Sequence, residues 1–217
     1  MTGSAVIKHD AVIFDFDGVL AESTDIKDQA FAALYEKHGA EALAGVMAYH
    51  RANRGVSRFD KIRYCHRTFL NHDLSDKELA EIGRWFSARV EDAVAACRAV
   101  PGSMEFLKKH GDNLSLFIAS GAPEDEVRRI VERRGMAPYL VAVFGSPESK
   151  AEIVRGILAE HGFAPGKVLF VGDAMADYNA ARTTGVDFVG RAPPGRQSPF
   201  PNKTPVIPDL TGLSAWL

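Results

Sequence analysis

Five short apolar runs, spread unevenly along the chain, limit the folds that this sequence can adopt. Each run is rich in β-branched and aromatic residues, which is typical of strands buried on both faces of a parallel sheet. Helical stretches separate the last four runs, and the alternation of strand and helix predicts βαβ units. We therefore expect an α/β fold with a doubly wound, Rossmann-like parallel sheet. The predicted strands are Asp10–Phe16, Leu114–Ala119, Leu140–Phe144, Val168–Val171 and Val186–Val189.

Glycine marks the ends of three predicted helices between these strands. A glycine after the last helical residue terminates a helix readily, because it adopts the left-handed conformation at little cost. The predicted helices are Ala122–Arg134, Glu148–His161 and Ala174–Thr184, followed by Gly135, Gly162 and Gly185. Residues 192–208 contain six prolines and are predicted to be a loop. A short C-terminal helix should then dock Leu213, Trp216 and Leu217.

The long gap between the first and second strands differs in character from the rest of the chain. Residues 21–100 contain no convincing strand, and their apolar side chains recur at helical spacing. A helical subdomain inserted after the first strand explains this gap. We expect an α/β core made of residues 1–20 and 99–217, with an α-helical cap made of residues 21–98.

Composition and charge argue against some classes of binding partner. The chain of 217 residues carries a formal net charge of −2, so a general attraction to nucleic acid or to an anionic membrane is not expected. No apolar run approaches the roughly 20 residues needed to span a bilayer. The N-terminal residues also lack the apolar stretch of a signal peptide. We expect a cytoplasmic protein, either a monomer or a homodimer, with Cys65 and Cys97 as free thiols.

Polar side chains follow four of the five predicted strands. In an open parallel sheet the functional groups gather outside the carboxyl ends of the strands. These side chains should therefore meet on one rim, and their convergence predicts a site more strongly than any single residue does. The residues are Asp15, Asp17, Ser120, Lys150, Asp173 and Asp177, together with the backbone of Gly121.

These residue types suit the transfer of a phosphoryl group. Crowded carboxylates repel one another unless a hard cation lies between them, and Mg²⁺ prefers oxygen ligands of this kind. A carboxylate can also accept a phosphoryl group as a nucleophile, which splits hydrolysis into two easier steps. Ser120 and the backbone N–H of Gly121 can hold phosphate oxygens. Lys150 can neutralise both the phosphate and the nucleophile.

The order of these residues resembles the haloacid dehalogenase superfamily of hydrolases, in its phosphoglycolate phosphatase and β-phosphoglucomutase-like branch. The segment Asp15-Phe16-Asp17-Gly18-Val19 is similar to its first motif, DxDGV, and Ser120-Gly121 to its second. Lys150 fits the third motif, although alanine follows it where the family's familiar pair has proline. The segment Gly172-Asp173-Ala174-Met175-Ala176-Asp177 fits the fourth motif, GDxxxD. The four motifs occur in order, with a helical cap after the first.

The resemblance implies a role for each acidic residue. Asp15 would be the nucleophile, and Asp17 would act first as general acid and then as general base. Mg²⁺ would be held by the Asp15 carboxylate, the Asp17 main-chain carbonyl and the Asp173 carboxylate. Asp177 would support these ligands or reach the metal through water. The implied activity is a magnesium-dependent phosphatase that hydrolyses a small sugar phosphate or phosphoglycolate-like acid through an aspartyl-phosphate intermediate.

Other activities compete with this interpretation. Dehalogenases of the family lack an acid at the position of Asp17, because halide leaves without a proton, so Asp17 argues against dehalogenation. A β-phosphoglucomutase-like sugar-phosphate mutase resembles the chain in the same four motifs and in a loop like Gly55-Val56-Ser57-Arg58. A non-catalytic phospho-ligand binding module should have lost Asp15, Asp17 or Lys150, and none is lost. We favour the phosphatase over the mutase.

A polar segment of the cap is the candidate for substrate selection. We expect Gly55 to let this loop bend toward the core and Arg58 to point at the substrate, because a guanidinium offers a planar fork of donors to a carboxylate or phosphate. The alternative is a solvated turn whose arginines pair with acidic residues such as Asp60 or Glu91. The polar residues of the segment are His50, Arg51, Asn53, Arg54 and Arg58.

Overall fold

A computed structural model of the chain describes residues 8–217. Residues 1–7 lie outside the described residues. The predictions that they belong to the core and lack a signal peptide therefore stay predictions. Strands β1 to β6 are Ala11–Phe14, Ser115–Pro123, Ala142–Ser146, Val168–Gly172, Asp187–Arg191 and Val206–Ile207. Helices α1 to α8 are Thr24–Tyr35, Ala40–Ala52, Arg58–Leu70, Asp76–Ala96, Ser103–His110, Glu124–Arg133, Lys150–His161 and Met175–Thr184.

The strands form one sheet in the order β3-β2-β1-β4-β5-β6, and every neighbouring pair is parallel. From β1 the chain winds outward through β2 to β3, and it then returns to β4 on the other side of β1. This reversal confirms the predicted doubly wound α/β fold. It also creates a crevice outside the carboxyl ends of β1 and β4, which is where open α/β sheets bind ligands.

The apolar runs are continuous because the sheet is covered on both faces. Successive side chains of a strand point to opposite faces, so β1 contributes to two hydrophobic clusters. Val12 and Phe14 pack into one cluster, whereas Ala11 and Ile13 pack into the other. All four side chains are fully buried. Neither face of β1 is left for solvent, which explains why its sequence lacks the alternation of polar and apolar residues.

The predicted strands and helices agree with the observed ones to within a few residues, but β2 continues to Pro123, past the predicted start of the next helix at Ala122. Two further differences lie near the C-terminus. The proline-rich segment contains a strand of two residues, β6, which pairs with β5 and is too short to show a periodic pattern. The C-terminal helix is a single 3₁₀ turn, Leu213–Trp216. Leu213 is buried in it, but Trp216 is 39% exposed, so the prediction that Trp216 docks on the core is wrong.

Four helices, α1 to α4, fill the segment between β1 and α5. The longest, α4, starts at a capping box in which the Ser75 hydroxyl accepts the Glu78 N–H and the Glu78 carboxylate accepts the Ser75 N–H. Its apolar face buries Leu79, Phe86 and Val90 at helical spacing. None of the helices in the described part of the chain is long and apolar enough to cross a bilayer.

The helical insertion packs on the core instead of standing apart from it. Helix α4 contacts α6, and α3 contacts β2. Phe31 and Phe86 of the insertion share one hydrophobic cluster with Phe14 of the sheet. The division into a core of residues 1–20 and 99–217 and a cap of residues 21–98 therefore stays a proposal.

Candidate active site

The structure brings three of the predicted site residues into one buried cluster. Lys150, the first residue of α7, has its Nζ 2.9 Å from Asp15 Oδ2 and 2.5 Å from Asp177 Oδ1. Asp15 follows β1 and is 3% exposed, Lys150 is 5% exposed, and Asp177 is fully buried. Lys150 therefore lies at the rim of the sheet even though alanine, and not proline, follows it. A lysine placed between two carboxylates can neutralise the charge that a phosphate would add.

The three carboxylates of the site crowd one another. Asp15, Asp173 and Asp177 each offer an oxygen within 4.8 Å of the other two. Burial raises the pKa of Asp15 well above its usual value; the charge of Lys150 opposes this rise, and the neighbouring carboxylates add to it. Burial and the charge of Asp177 raise the pKa of Asp173 to about 7. An all-oxygen set whose negative charge is this poorly compensated fits a hard divalent cation such as Mg²⁺.

The two oxygens of Asp177 are already engaged. Its Oδ1 accepts from Lys150, and its Oδ2 accepts the N–H of Ala174 at 3.0 Å. This arrangement suits the predicted supporting role, in which Asp177 orients Lys150 and the loop that carries Asp173. Gly172 leaves room for it, because a Cβ at Gly172 would collide with the Asp177 side chain.

The Asp17 carboxylate turns away from the three crowded carboxylates. It accepts from the Ser23 hydroxyl at 2.5 Å and lies 3.7 Å from the Lys27 ammonium. The backbone after Asp17 instead packs against Asp173, since a Cβ at Gly18 would collide with the Asp173 carboxylate. The main chain here can share a cation with Asp173 while the Asp17 side chain remains available to carry a proton.

Ser120 and Gly121 lie in the last part of β2, beside β1. The Ser120 hydroxyl is buried and accepts the N–H of Ala122 at 3.1 Å, and its own hydrogen can still be donated to a phosphate oxygen. A glycine is needed at position 121 because the cap loop that contains Gly55 lies directly against it. A Cβ at Gly121 would lie 2.6 Å from the Gly55 carbonyl oxygen of the cap loop. The cap loop therefore rests directly on the predicted phosphate-binding residues.

Gly55 allows this close approach. Its φ of +78° lies in the left-handed region that favours glycine. A Cβ there would lie 3.3 Å from Lys150 Nζ and 3.0 Å from Ala176 Cβ. The bend of the loop toward the core, which the sequence predicted from Gly55, is thus present in the structure.

The structure gives Arg58 a protein partner. Its Nη2 donates to both carboxylate oxygens of Glu126, at 2.6 and 2.8 Å, and its Nη1 donates to the Ser87 hydroxyl at 2.9 Å. Arg58 is only 4% exposed, and its guanidinium lies 4.3 Å from the centre of the Phe86 ring. It lines the cavity beside the site, but its fork of donors is occupied by Glu126. Its role in reading the substrate stays a prediction.

Neither acidic partner suggested by the sequence pairs with Arg58. Glu91 instead pairs with Arg129 of α6, at 2.8 Å. Glu126 lies in the first turn of α6, where acidic residues are common, so no sequence pattern distinguishes it as a partner of Arg58. Burial raises its pKa, but Lys27 and Arg58 outweigh burial and lower the pKa of Glu126 to about 2.

Replacing Arg58 by alanine should destabilise the protein. Glu126 would lose both hydrogen bonds from Arg58, and breaking a buried pair costs about 3 kcal/mol, which corresponds to a fall in Tm of roughly 5–10 °C. Thermal unfolding of Arg58→Ala measures this, with Arg67→Ala on the exposed side of the same helix as the control. The double variant Arg58→Met with Glu126→Met should recover most of the lost Tm. An unchanged Tm combined with lost activity would instead assign Arg58 to the substrate.

A cavity of about 70 Å³ opens beside Asp15 and Asp17, under the inserted helices. Four cationic side chains of the insertion line it, together with His50 and two aromatic rings. Lys27 and Lys61 are not among the site residues that the sequence predicts. A signal for Lys61 was present, since it lies on the α3 face that also buries Ile62 and Cys65. The lining cations are Lys27, Arg54, Arg58 and Lys61, and the rings are Phe31 and Phe86.

Known proteins share this architecture. A sequence model of the haloacid dehalogenase-like hydrolases matches residues 12–191. A phosphoglycolate phosphatase from Synechococcus elongatus is 25% identical over 186 residues, which cover 81% of this chain and 80% of the relative. The family model spans strands β1 to β5, the inserted helices and all four groups of rim residues.

Two solved structures show the same fold at low sequence identity. A predicted phosphoglycolate phosphatase from Haemophilus somnus superposes with a TM-score of 0.74 at 19% identity, covering 98% of this chain and 99% of the other. A β-phosphoglucomutase from Clostridium difficile superposes with a TM-score of 0.76 at 17% identity, covering 94% of this chain and 93% of the other. Fold alone therefore does not separate hydrolysis from phosphoryl return to a sugar.

Proposed function

Because the chain belongs to the haloacid dehalogenase-like hydrolase family and is a phosphatase of that family, we propose that it hydrolyses a small phosphorylated metabolite with the help of Mg²⁺. The observation that carries the proposal is the buried contact between Lys150 and Asp15, 2.9 Å apart, inside a group of carboxylates. A nucleophilic carboxylate next to a fixed cation is what attack on an anionic phosphate ester requires.

The first chemical step breaks the ester P–O bond. An Asp15 oxygen forms a bond to phosphorus, and the leaving alkoxide takes a proton from the Asp17 carboxyl group. Lys150, the Ser120 hydroxyl and the backbone around Gly121 hold the transferred phosphoryl oxygens. Mg²⁺, when bound by the carboxylates, would supply further positive charge against the phosphoryl oxygens.

The second step returns the enzyme to its starting state. Asp17, now deprotonated, removes a proton from water, and the water oxygen bonds to phosphorus as the bond to Asp15 breaks. The products are inorganic phosphate and the free alcohol. The position of the Asp17 side chain supports this double role. Its carboxylate accepts a hydrogen bond from Ser23, apart from the carboxylates of the predicted metal site, and it lines the cavity.

The environment of Arg58 favours hydrolysis over a mutase reaction. A sugar-phosphate mutase must hold a bisphosphate in two orientations, and the phosphate that is not reacting needs several available cations. Of the four cations that line the cavity, Lys61 alone has no carboxylate partner among the described residues. Arg58 and Lys27 are both paired with Glu126. The Gly55–Arg58 loop, which resembles that of the mutases, therefore presents an arginine whose charge is already balanced within the protein.

Product analysis separates the two activities. We expect the purified protein with Mg²⁺ to release inorganic phosphate from p-nitrophenyl phosphate and from phosphoglycolate. A hexose 1-phosphate primed with hexose 1,6-bisphosphate should yield inorganic phosphate and free sugar, as followed by ³¹P NMR. Conversion into the hexose 6-phosphate without phosphate release would establish the mutase instead. Absence of turnover with any ester would favour a non-catalytic binding module.

A further inference from the structure

Among the cations of the cavity, Lys61 differs from the rest in having no acidic partner. Arg58 and Lys27 pair with Glu126, and Arg54 pairs with Asp28. Within residues 8–217, no carboxylate oxygen lies within 4.0 Å of the Lys61 ammonium. Lys61 is nevertheless only 6% exposed. A buried ammonium without a counter-charge is costly to maintain, so its retention calls for a functional explanation.

The immediate neighbours of Lys61 hold it in place without neutralising it. Its Nζ lies 3.4 Å from His50 Nδ1 and 5.1 Å from the centre of the Phe31 ring. Burial and the nearby cations Lys27 and Arg58 lower the pKa of Lys61 to about 7. The surroundings thus disfavour the charged form until an anion arrives.

His50 is fixed so that it presents an acceptor to Lys61. Its Nε2 lies 3.0 Å from Asp28 Oδ1, and its ring stacks on Phe31 with the ring centres 3.9 Å apart. Burial lowers the pKa of His50, which favours the neutral imidazole. With Nε2–H donated to Asp28, Nδ1 is the acceptor that faces the lysine. One hydrogen of the ammonium is thereby oriented, and the others remain for a ligand.

The same cavity is lined by Asp15 and Asp17, so a phosphate ester that reacts at Asp15 extends its leaving group toward Lys61. We propose that Lys61, positioned by His50, binds a second anionic group on the leaving group, and that the natural substrate is a short phosphate monoester ending in a carboxylate. This inference rests on the proposed phosphatase function. Lys61 is a specificity residue in this arrangement, and His50 is a positioning residue.

The size of the cavity limits the substrate. A volume of about 70 Å³ has room for a few heavy atoms between the reacting phosphate and Lys61. A carboxylate on a two- or three-carbon chain fits this space, and its single negative charge matches the one unpaired ammonium better than a second phosphate does. A carboxylate and a phosphate are both anions that Lys61 would bind, and the comparison of substrates below distinguishes them.

Selectivity between an acidic and a neutral ester tests the proposal. Wild type should have a kcat/KM for phosphoglycolate roughly 10²-fold above that for 2-hydroxyethyl phosphate, which lacks the carboxylate. In Lys61→Met this ratio should fall to within about threefold of unity. The control Arg67→Met, on the exposed side of α3, should keep the wild-type ratio. A preference for glycerol bisphosphate over phosphoglycolate would support the anion site but assign it a phosphate.

Two further measurements test the proposal without relying on turnover: ligand binding and thermal unfolding. Calorimetric binding of the same two esters to Asp15→Asn should show the same preference, and Lys61→Met in that background should abolish it, so failure of turnover would not hide the site. Lys61→Met should also raise Tm by roughly 2–4 °C, because a buried unpaired ammonium is replaced by an apolar side chain of similar length. Equal losses on both esters, an unchanged ratio or a lowered Tm would overturn the proposal.

Discussion

Asp15→Asn should reduce the turnover of any phosphate ester by at least roughly 10⁴-fold while the protein still folds. An amide is a poor nucleophile, and the substitution also removes one of the carboxylates of the predicted metal site. The loss should appear in kcat for p-nitrophenyl phosphate as well as for the natural substrate, because Asp15 acts on the phosphoryl group that all esters share.

The structure explains why this variant should remain folded. An asparagine at position 15 can keep the hydrogen bond that Asp15 Oδ1 accepts from the Phe16 N–H at 2.7 Å. Lys150 retains Asp177 as a partner, at 2.5 Å. One of three crowded negative charges is removed, so we expect the Tm to be unchanged or raised.

The matched control for this experiment is Asp92→Asn. Asp92 is an exposed aspartate of α4 that pairs with Arg133 on the surface, so its activity should equal that of wild type. Activity of Asp15→Asn above a tenth of wild type would rule out Asp15 as the nucleophile. A loss accompanied by unfolding in circular dichroism would assign Asp15 to structure.

Removal of divalent metal should abolish activity, and Mg²⁺ should restore it. The carboxylates of Asp15, Asp173 and Asp177 converge to within 4.8 Å, and only Lys150 lies among them as a counter-charge in the described part of the chain. Ca²⁺ should not restore turnover, because its longer and looser coordination disturbs the in-line geometry of transfer. Full activity in excess chelator would contradict the magnesium assignment.

Thermal unfolding provides a second measure of metal binding. A cation that binds only the folded state raises Tm in proportion to the logarithm of its concentration. Mg²⁺ should therefore stabilise the wild type, and Asp173→Asn should lose this effect, while Asp92→Asn keeps it. A Mg²⁺-dependent rise that survives in Asp173→Asn would place the cation elsewhere.

The sequence was sufficient to predict five of the six strands of the sheet and the rim of the site. Strand positions follow from the apolar runs, and the parallel arrangement brings the carboxyl ends of β1 and β4 to one edge whatever the rest of the chain does. Asp15, Lys150 and Asp177 meet there for that reason. Gly55 is a local requirement, because its positive φ favours glycine, whereas Gly121 is needed where the distant Gly55 carbonyl approaches it.

The residues that line the leaving-group side of the cavity were decided only by tertiary structure. Arg58 and Glu126 are 68 residues apart, and they meet because α4 and α3 of the insertion pack on α6 and β2 of the core. Helical periodicity shows that Arg58 and Lys61 lie on a buried face, but it does not show which charge faces them there. On this side of the cavity, a cation that is paired with a carboxylate is already occupied, whereas an unpaired cation is available to a ligand. That difference between Arg58 and Lys61 depends on the positions of side chains distant in sequence, which no local pattern encodes.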